Sequence, residues 1–580
     1  MAFYLSPLVD VKEIDLSTTI PAVATSIGVA ILRETYKGPE RKKWLITSTN
    51  DLIDTFGQPT NTANCYQDIL AATGFLRFGN ALYCTRTMPA SATFAGARAV
   101  SGSEVTFNAY ATPYKLSDFA SEDPDEFGNE VSATGNDPFW LIASSRGLWG
   151  NKIRVAVIDY NTYTEIASGG HSTWETYSVL ADVDSPLQDS KDFLIVVQVC
   201  NQGGSVATAS TDWILKEVWN VSTDENRTND QGTKTFAETV INQQSNYIRI
   251  ALNPNQKNET MVISTSSWQV FIGGVDAASG NDTVTDGLIQ SDFDLYANAE
   301  EIDVNILIDS NKSDTVKGYM DTLAAGRKDC IAVLDVPYAD VINNNGSEAT
   351  DMRTWRRDTL NINSSYSSVY GNWLEVYDKW NGKYRWIPAS GHVAGIYVNT
   401  DDVSDPWFAP AGLNRAILGN VRRLAWNPTQ AERDLIYKAG INPIVSFSGQ
   451  GKVVWGQKTM LDKESAFNRV NVRRLFIVLE KAISTAAKYF LFEPNDDLTR
   501  LLMVNMIDPF LRDVRSRRGI YEYMIICDET NNTPERIDRN ELWCDLYIKP
   551  TRAAEFIVLN FIATKTGASF TELAGASTSG

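Results

Sequence analysis

Hydrophobic and polar positions change rhythm along this chain, and each rhythm predicts a different kind of element. In the first twenty residues Val9, Val11 and Glu13 alternate with Asp10, Lys12 and Ile14, a short strand pattern that predicts an arm, and Pro21 follows. Residues 26–32, SIGVAIL, form the uninterrupted apolar run of a buried strand. Residues 50–56 open on a cap-type asparagine and predict a short helix ended by Gly57 and Pro59. A second helix is expected over 66–78, with Ile69, Leu70, Thr73 and Leu76 at helical spacing and Gly79-Asn80 as its stop, and the strand ALYCTRT comes next. Strand, helix, helix, strand predicts an α/β layer.

From about residue 88 to 301 helical periodicity fades, and short β-type runs take over: NKIRVAVIDY, DFLIVVQVC, YIRIALN, TMVIST and SWQVFIGG. This reads as an acidic all-β insert, either one unit or two small ones at 96–136 and 137–301. At Ile302 the α/β pattern resumes. EIDVNILIDS and CIAVLDVP are apolar runs of the buried parallel kind, and a helix over 314–325 supplies their crossover. Toward the end Val472, Leu475, Phe476, Leu479, Ala482, Ile483, Ala486 and Phe490 trace an amphipathic helix. Asn495-Asp496 caps a second one, which Pro509 is expected to kink. Three strand runs follow (IYEYMIICD, ELWCDLYIKP, EFIVLNFIATKT), for which a three-stranded antiparallel sheet under two helices is the simplest arrangement.

The fold class is therefore α+β and multidomain. An arm is expected at 1–20, a discontinuous α/β middle domain at 21–87 plus 302–440, an inserted β-rich region at 88–301, and a C-terminal domain at 441–580. A chain of 580 residues is too long for one core, which agrees.

Charge sharpens the division. The net −19 lies wholly in the first 330 residues, with 23 basic against 42 acidic side chains, while 331–580 balance 29 against 29. An acidic half disfavours direct nucleic-acid contact and suits an exposed surface that repels its neighbours. No apolar run is long enough for a bilayer, so no membrane insertion is expected. The start has no basic segment followed by an apolar one, so a secretory signal is not expected.

The search for chemistry yields no catalytic, cofactor or metal site. The six cysteines form no C-x-x-C pair and are expected as buried thiols, with Cys527 and Cys544 on neighbouring strands. The two histidines, His171 and His392, are too few for metal ligation. Gly451-Lys452 lacks the rest of a P-loop. The doublets Asp401-Asp402 and Asp496-Asp497 read as turn and cap residues, and 276–286 misses calcium-loop spacing. The arginine doublets at 356–357, 422–423, 473–474 and 517–518 are expected to form ion pairs, and YDKWNGKYRWIPASG an interface or structural hairpin.

Several stretches nevertheless resemble the tail sheath proteins of T4-like contractile phages. They include FGQP (56–59), FLRFGNALYCTR (75–86), YDKWNGKYRWIPASGHVAG (377–395), NTDDVSDPWFAPAGLNR (399–415), FNRVNVRRLF (467–476), YEYMIICDETNNTPERIDRNEL (521–542) and FIVLNFIATKTGASF (556–570). They span roughly the first 90 and last 280 residues, with weak similarity between. The resemblance implies a non-enzymatic virion subunit, assembled in the host cytoplasm, whose outer surface is the middle region. It implies hexameric rings stacked around a tail tube, with baseplate and tail terminator as further partners and no cofactor. It also implies that both arms add strands to adjacent subunits, here Leu8, Val9, Val11 and Ile14, and Phe556, Val558, Asn560 and Ile562. Arg512 and Arg515, on the second C-terminal helix, either face the tube or pair with Asp508 and Asp513. The alternatives are the sheath of a bacteriocin or secretion-type device and, in another class, a phage carbohydrate-binding or adhesion protein.

Overall fold

The computed structural model describes residues 26–559, apart from 100–106, 109–111, 168–186, 207–210, 230, 262–264, 266–267, 278–282 and 345. The expected N-terminal arm, with Leu8, Val9, Val11 and Ile14, lies outside the described residues, as do His171, Asn560 and Ile562.

The chain begins with β1 (Gly28–Arg33), β2 (Trp44–Ile46), α1 (Thr49–Phe56), α2 (Ala63–Phe75) and β3 (Leu82–Thr87). The insert follows: β4 (Gly96–Ala99), β5 (Phe107–Asn108), α3 (Phe127–Glu130), β6 (Phe139–Ala143), β7 (Ile153–Asp159), α4 (Tyr160–Ala167), β8 (Asp192–Cys200), β9 (Trp213–Ser222), α5 (Ala237–Gln244), β10 (Ile248–Leu252) and β11 (Gln269–Val270). Then come α6 (Asp286–Asp294), β12 (Ile306–Ile308), α7 (Asp314–Arg327), β13 (Ile331–Asp335), α8 (Glu348–Thr354), β14 (Ser367–Gly371), β15 (Trp373–Asp378), β16 (Lys383–Pro388), α9 (Ser390–Val403), β17 (Val421–Leu424), α10 (Gln430–Lys438), β18 (Ile441–Phe447) and β19 (Gly451–Val454). The last elements are α11 (Val470–Ala487), α12 (Asp497–Ser516), β20 (Ile520–Ile526), α13 (Pro534–Asp538) and β21 (Asp545–Pro550).

Eight strands form the main sheet, in the order β19-β18-β14-β13-β12-β1-β3-β2. The six inner strands are parallel and each edge strand is antiparallel. Every residue of β1 and β13 is buried, which requires cover on both faces. Helices α2 and α9 cover one face, α6 and α7 the other. Helix α1 is capped by Ser48, which accepts from the Asp51 amide at 3.2 Å, two positions before the expected cap. Helices α2 and α9 cross through glycines: a Cβ on Gly391 would lie 2.1 Å from the Ala71 carbonyl oxygen.

Two boundaries move. Hairpin β18–β19 belongs to the main sheet, so the middle unit runs past 440. Helix α6 packs Ile289 and Phe293 onto the β1–β12 face, so it belongs to the middle layer and not to the insert expected to reach 301. The insert itself is not all β. It holds α3, α4 and α5 beside two antiparallel four-stranded sheets, β10-β6-β4-β5 and β11-β7-β8-β9. Phe139 and Leu141 of one sheet share a core with Val155, Val157, Phe193 and Ile195 of the other, making a sandwich, while Leu116, Phe119 and Phe127 pack with Ile142 and Ala251 in a second core on the first sheet's other face.

A buried triad fastens the insert to the layer. Glu40, after β1, holds Arg86 of β3 at 2.8 Å and Arg146, in the insert, at 2.6 Å. Burial alone would raise the Glu40 pKa, but Arg146 and Arg86 outweigh it and hold the carboxyl below its usual range.

In the C-terminal unit α11 and α12 pack on β20 and β21, joining Leu475, Leu479, Met506, Leu511 and Val514 to Tyr523, Ile525, Leu546 and Ile548. Asp496 caps α12 by accepting from the Thr499 amide at 2.8 Å, and the helix continues through Pro509. The sheet has two strands, not three, among the described residues: β20 pairs β21, and 551–559 form no strand. The middle and C-terminal units are tied by Asp401, which is no turn residue. It lies in α9 and grips Arg474 of α11 at 2.6 Å, both side chains buried.

Candidate intersubunit surface

Period-2 alternation gives β20 and β21 two faces. Tyr523, Ile525 and Cys527 point into the helices with Cys544, Leu546 and Ile548. The other face carries Met524 opposite Tyr547 and Glu522 opposite Lys549, whose ammonium lies 3.4 Å from the carboxylate. Cys527 and Cys544 are free thiols in hydrogen-bond contact, and burial raises both. Among the described residues each of these strands pairs only with the other, so each offers an unpaired edge.

After β21 the chain continues the ladder once, the Thr551 amide donating to the Gly519 carbonyl at 3.1 Å, and then leaves the sheet. Glu555 is held by the Arg469 guanidinium at 2.6 and 2.9 Å and by the Tyr437 hydroxyl at 3.2 Å. Immediately beyond, Phe556, Ile557, Val558 and Leu559 are 71–86% exposed. Four consecutive large apolar side chains in that state are a sequence composed for burial that none of the described residues provides.

The other proposed residues divide. Arg512 pairs with Asp508 in an i,i+4 ion pair, and the neighbouring Asp513 pairs with Arg517 at 3.6 Å. Arg515 is exposed. Sequence reasoning passed over Glu555, and also the α11–α12 turn, where Tyr489, Leu491 and Phe492 are exposed and Phe492 adopts φ +68°. Members of three of the arginine doublets find partners within the chain: the exposed Arg422 and Arg423 reach Glu375, the buried Arg473 donates to Ser365, and the exposed Arg517 pairs with Asp405. The Tyr377–Tyr384 region is the hairpin β15–β16.

Open parallel sheets take ligands beyond their strand C-termini where strand order reverses, here between β1 and β12. That crevice is filled by the chain's own charges. Arg33 forks Asp68 at 2.9 Å through both Nε and Nη2. Asp309 accepts from the Asp335 and Lys312 amides at 2.9 Å, and Asp335 accepts from Ser390 of α9 at 2.7 Å. Burial pushes Asp335 up to about 7 and pulls Lys312 down to about 8. His392, buried against α2 and near Arg77, is pulled down to about 4 and stays neutral at physiological pH.

Residues 294–460 match the family described as the phage tail sheath protein central domain, and 462–564 the phage tail sheath C-terminal domain. The chain is also 30% identical to the tail sheath protein of Enterobacteria phage T4 over 98% of its own length and 99% of that protein's. It belongs to the phage tail sheath family. The tail sheath protein of Vibrio phage KVP40 is 35% identical over 75% of this chain, a match that spans 66% of the relative. A sheath tail protein from Listeria innocua shares the fold, with a TM-score of 0.52 at 11% identity over 92% of this chain and 97% of that one. Tail sheath membership makes the chain a structural subunit of a contractile sheath and a component of the virion. The two family segments meet at residue 461.

Proposed function

We propose that this subunit assembles as hexameric rings stacked around a tail tube between baseplate and tail terminator, without catalysis, and shortens to drive the tube through the host envelope. Assembly would take place in the host cytoplasm. The observation that carries this reading is the pairing of open-edged strands β20 and β21 with the exposed run Phe556–Leu559 on the same small unit. A two-stranded ribbon is marginal by itself, and an extended segment that adds to its edge stabilises it through backbone hydrogen bonds of about 0.5–1.5 kcal/mol each. Head-to-tail strand addition that does not close yields a helix of open length. Phe556, Val558, Asn560 and Ile562 would be the C-terminal donors, and Leu8, Val9, Val11 and Ile14 the N-terminal ones. Subunits linked in this way can turn as rigid bodies while the linkers stay engaged. The exposed Arg515 remains a candidate for the tube; Arg512 is committed to Asp508.

The test is Val558→Asp with Ile557→Lys in the full chain. Both positions are exposed in the monomer, so its melting temperature is expected to hold while polymerisation into striated tubes, read by negative-stain microscopy, is lost. Normal tubes from this variant would refute strand donation by the C-terminal arm.

A further inference from the structure

The root of the C-terminal arm is gripped at one point, where three parts of the molecule converge. Arg469 is the N-cap residue of α11 in the C-terminal unit. Tyr437 is near the end of α10 in the middle unit. Lys458, on the connection between the units, bridges to Arg469 through the backbone, donates to the Tyr437 carbonyl at 2.8 Å and sits 4.4 Å from the Tyr437 ring centroid. Glu555 closes the group as the acceptor for both Arg469 and Tyr437.

The Glu555 carboxylate and the Arg469 guanidinium meet in a two-point fork, a geometry that fixes direction as well as distance. The carboxylate is one-fifth exposed, so solvent screens it only in part. Clefts of about 360 and 510 Å³ open on either side of residues 553–556, so the strap is held by its end contact and not by packing along its length. The exposed apolar residues begin at the next position.

We propose that Glu555 is the positioning residue for the C-terminal arm: its clasp to Arg469 and Tyr437 sets the direction in which 556–559 leave the subunit and ties that direction to the relative placement of the middle and C-terminal units. This rests on the strand-donation reading of the arm. Because the clasp joins Arg469 and Glu555 of the C-terminal unit to Tyr437 of the middle unit, a rotation between them cannot leave all its contacts intact, and a lattice that rotates its subunits must either carry the clasp as a rigid piece or open it. An opened clasp frees the arm root to follow a neighbour.

The clasp is tested on the full-length monomer by hydrogen exchange at the bonded amides that flank it, Thr551 on the Gly519 carbonyl and Val470 on the Gln457 carbonyl, in Glu555→Gln, Arg469→Glu and the charge-exchanged pair Arg469→Glu/Glu555→Arg. Each single variant is expected to speed exchange about tenfold, the scale of one charge-assisted contact, and the exchanged pair to restore it, with the melting temperature unchanged. Unchanged exchange in Glu555→Gln, or no recovery in the exchanged pair, overturns the clasp. Assembly separates the two readings. If deletion of 556–580 leaves normal striated tubes, the strand-donation reading fails whatever the exchange shows. If the deletion abolishes tubes, Glu555→Gln is expected to assemble tubes of altered subunit twist by cryo-electron microscopy. Tubes of parental twist would show that Glu555 does not set the arm's direction.

Discussion

Replacing Glu40 with glutamine removes the negative charge that both buried arginines contact. Arg86 is fully buried and Arg146 is 4% exposed, so neither cation can turn to water. Glu40 accepts from Arg86 Nη1 at 2.8 Å and from Arg146 through its backbone amide, Nε and Nη2 at 3.0, 2.8 and 2.6 Å. A glutamine keeps one acceptor oxygen and turns an amide NH₂ toward the remaining donors. Removing one partner of a buried ion pair costs about 3–5 kcal/mol, and the loss falls on the joint between the main sheet and the insert. Local opening there is therefore expected to rise by about two to three and a half powers of ten at about 1.4 kcal/mol per factor of ten. Hydrogen exchange at 86–92 and 144–150 in the full chain at neutral pH reads it directly. The same carboxylate has a pH signature. Its folded pKa lies below the ordinary 4.5, so its contribution is complete above that value and is lost as pH falls through the lower folded one. The glutamine variant is expected to lack this part of the acid destabilisation. Exchange at the joint within threefold of the parent would refute the reasoning.

Two further outcomes follow from the α2–α9 contact. His392 is neutral when folded with a pKa of about 4 against an ordinary 6.5, so stability falls as pH drops from 6.5 toward 4, by about 3 kcal/mol at the 1.36 kcal/mol per unit of a pKa shift; His392→Asn is expected to flatten urea-unfolding midpoints across that range. Gly391→Ala sets a methyl 2.1 Å from the Ala71 carbonyl oxygen, so the helices must part, and a loss of about 1–3 kcal/mol or more is expected in the same titration.

How much the sequence disclosed depended on where each segment is buried. The parallel strands at Gly28–Arg33 and Ile331–Asp335 read correctly because burial on both faces leaves unbroken apolar runs. Helices α11 and α12 read correctly because one stripe of each meets a core. The run at 556–559 has the same apolar look as those strands, yet it is exposed among the described residues: an apolar run in the sequence does not say what covers it. Strand order is not local information, so the addition of β18–β19 to the main sheet escaped the reading. Asp401 was mistaken for a turn residue because its partner Arg474 is 73 positions away. Glu555 carries no periodic signal either, since its partners lie 86 and 118 positions back. The T4-like stretches include the C-terminal unit, but the contacts of Glu555 within it are visible only in three dimensions.

The insert leaves the main sheet after Thr87 and returns at α6, and the Thr87 hydroxyl bonds directly to Asp292 of that helix. Departure and return are thus side by side, so from the scaffold's viewpoint the whole sandwich is a long loop with its ends already joined. The entropy of closing such a loop grows only with the logarithm of its length, about 0.6 kcal/mol for each doubling. A lineage can therefore enlarge, trim or exchange this insert at small thermodynamic expense to the main sheet, provided that whatever replaces it still presents an arginine to Glu40.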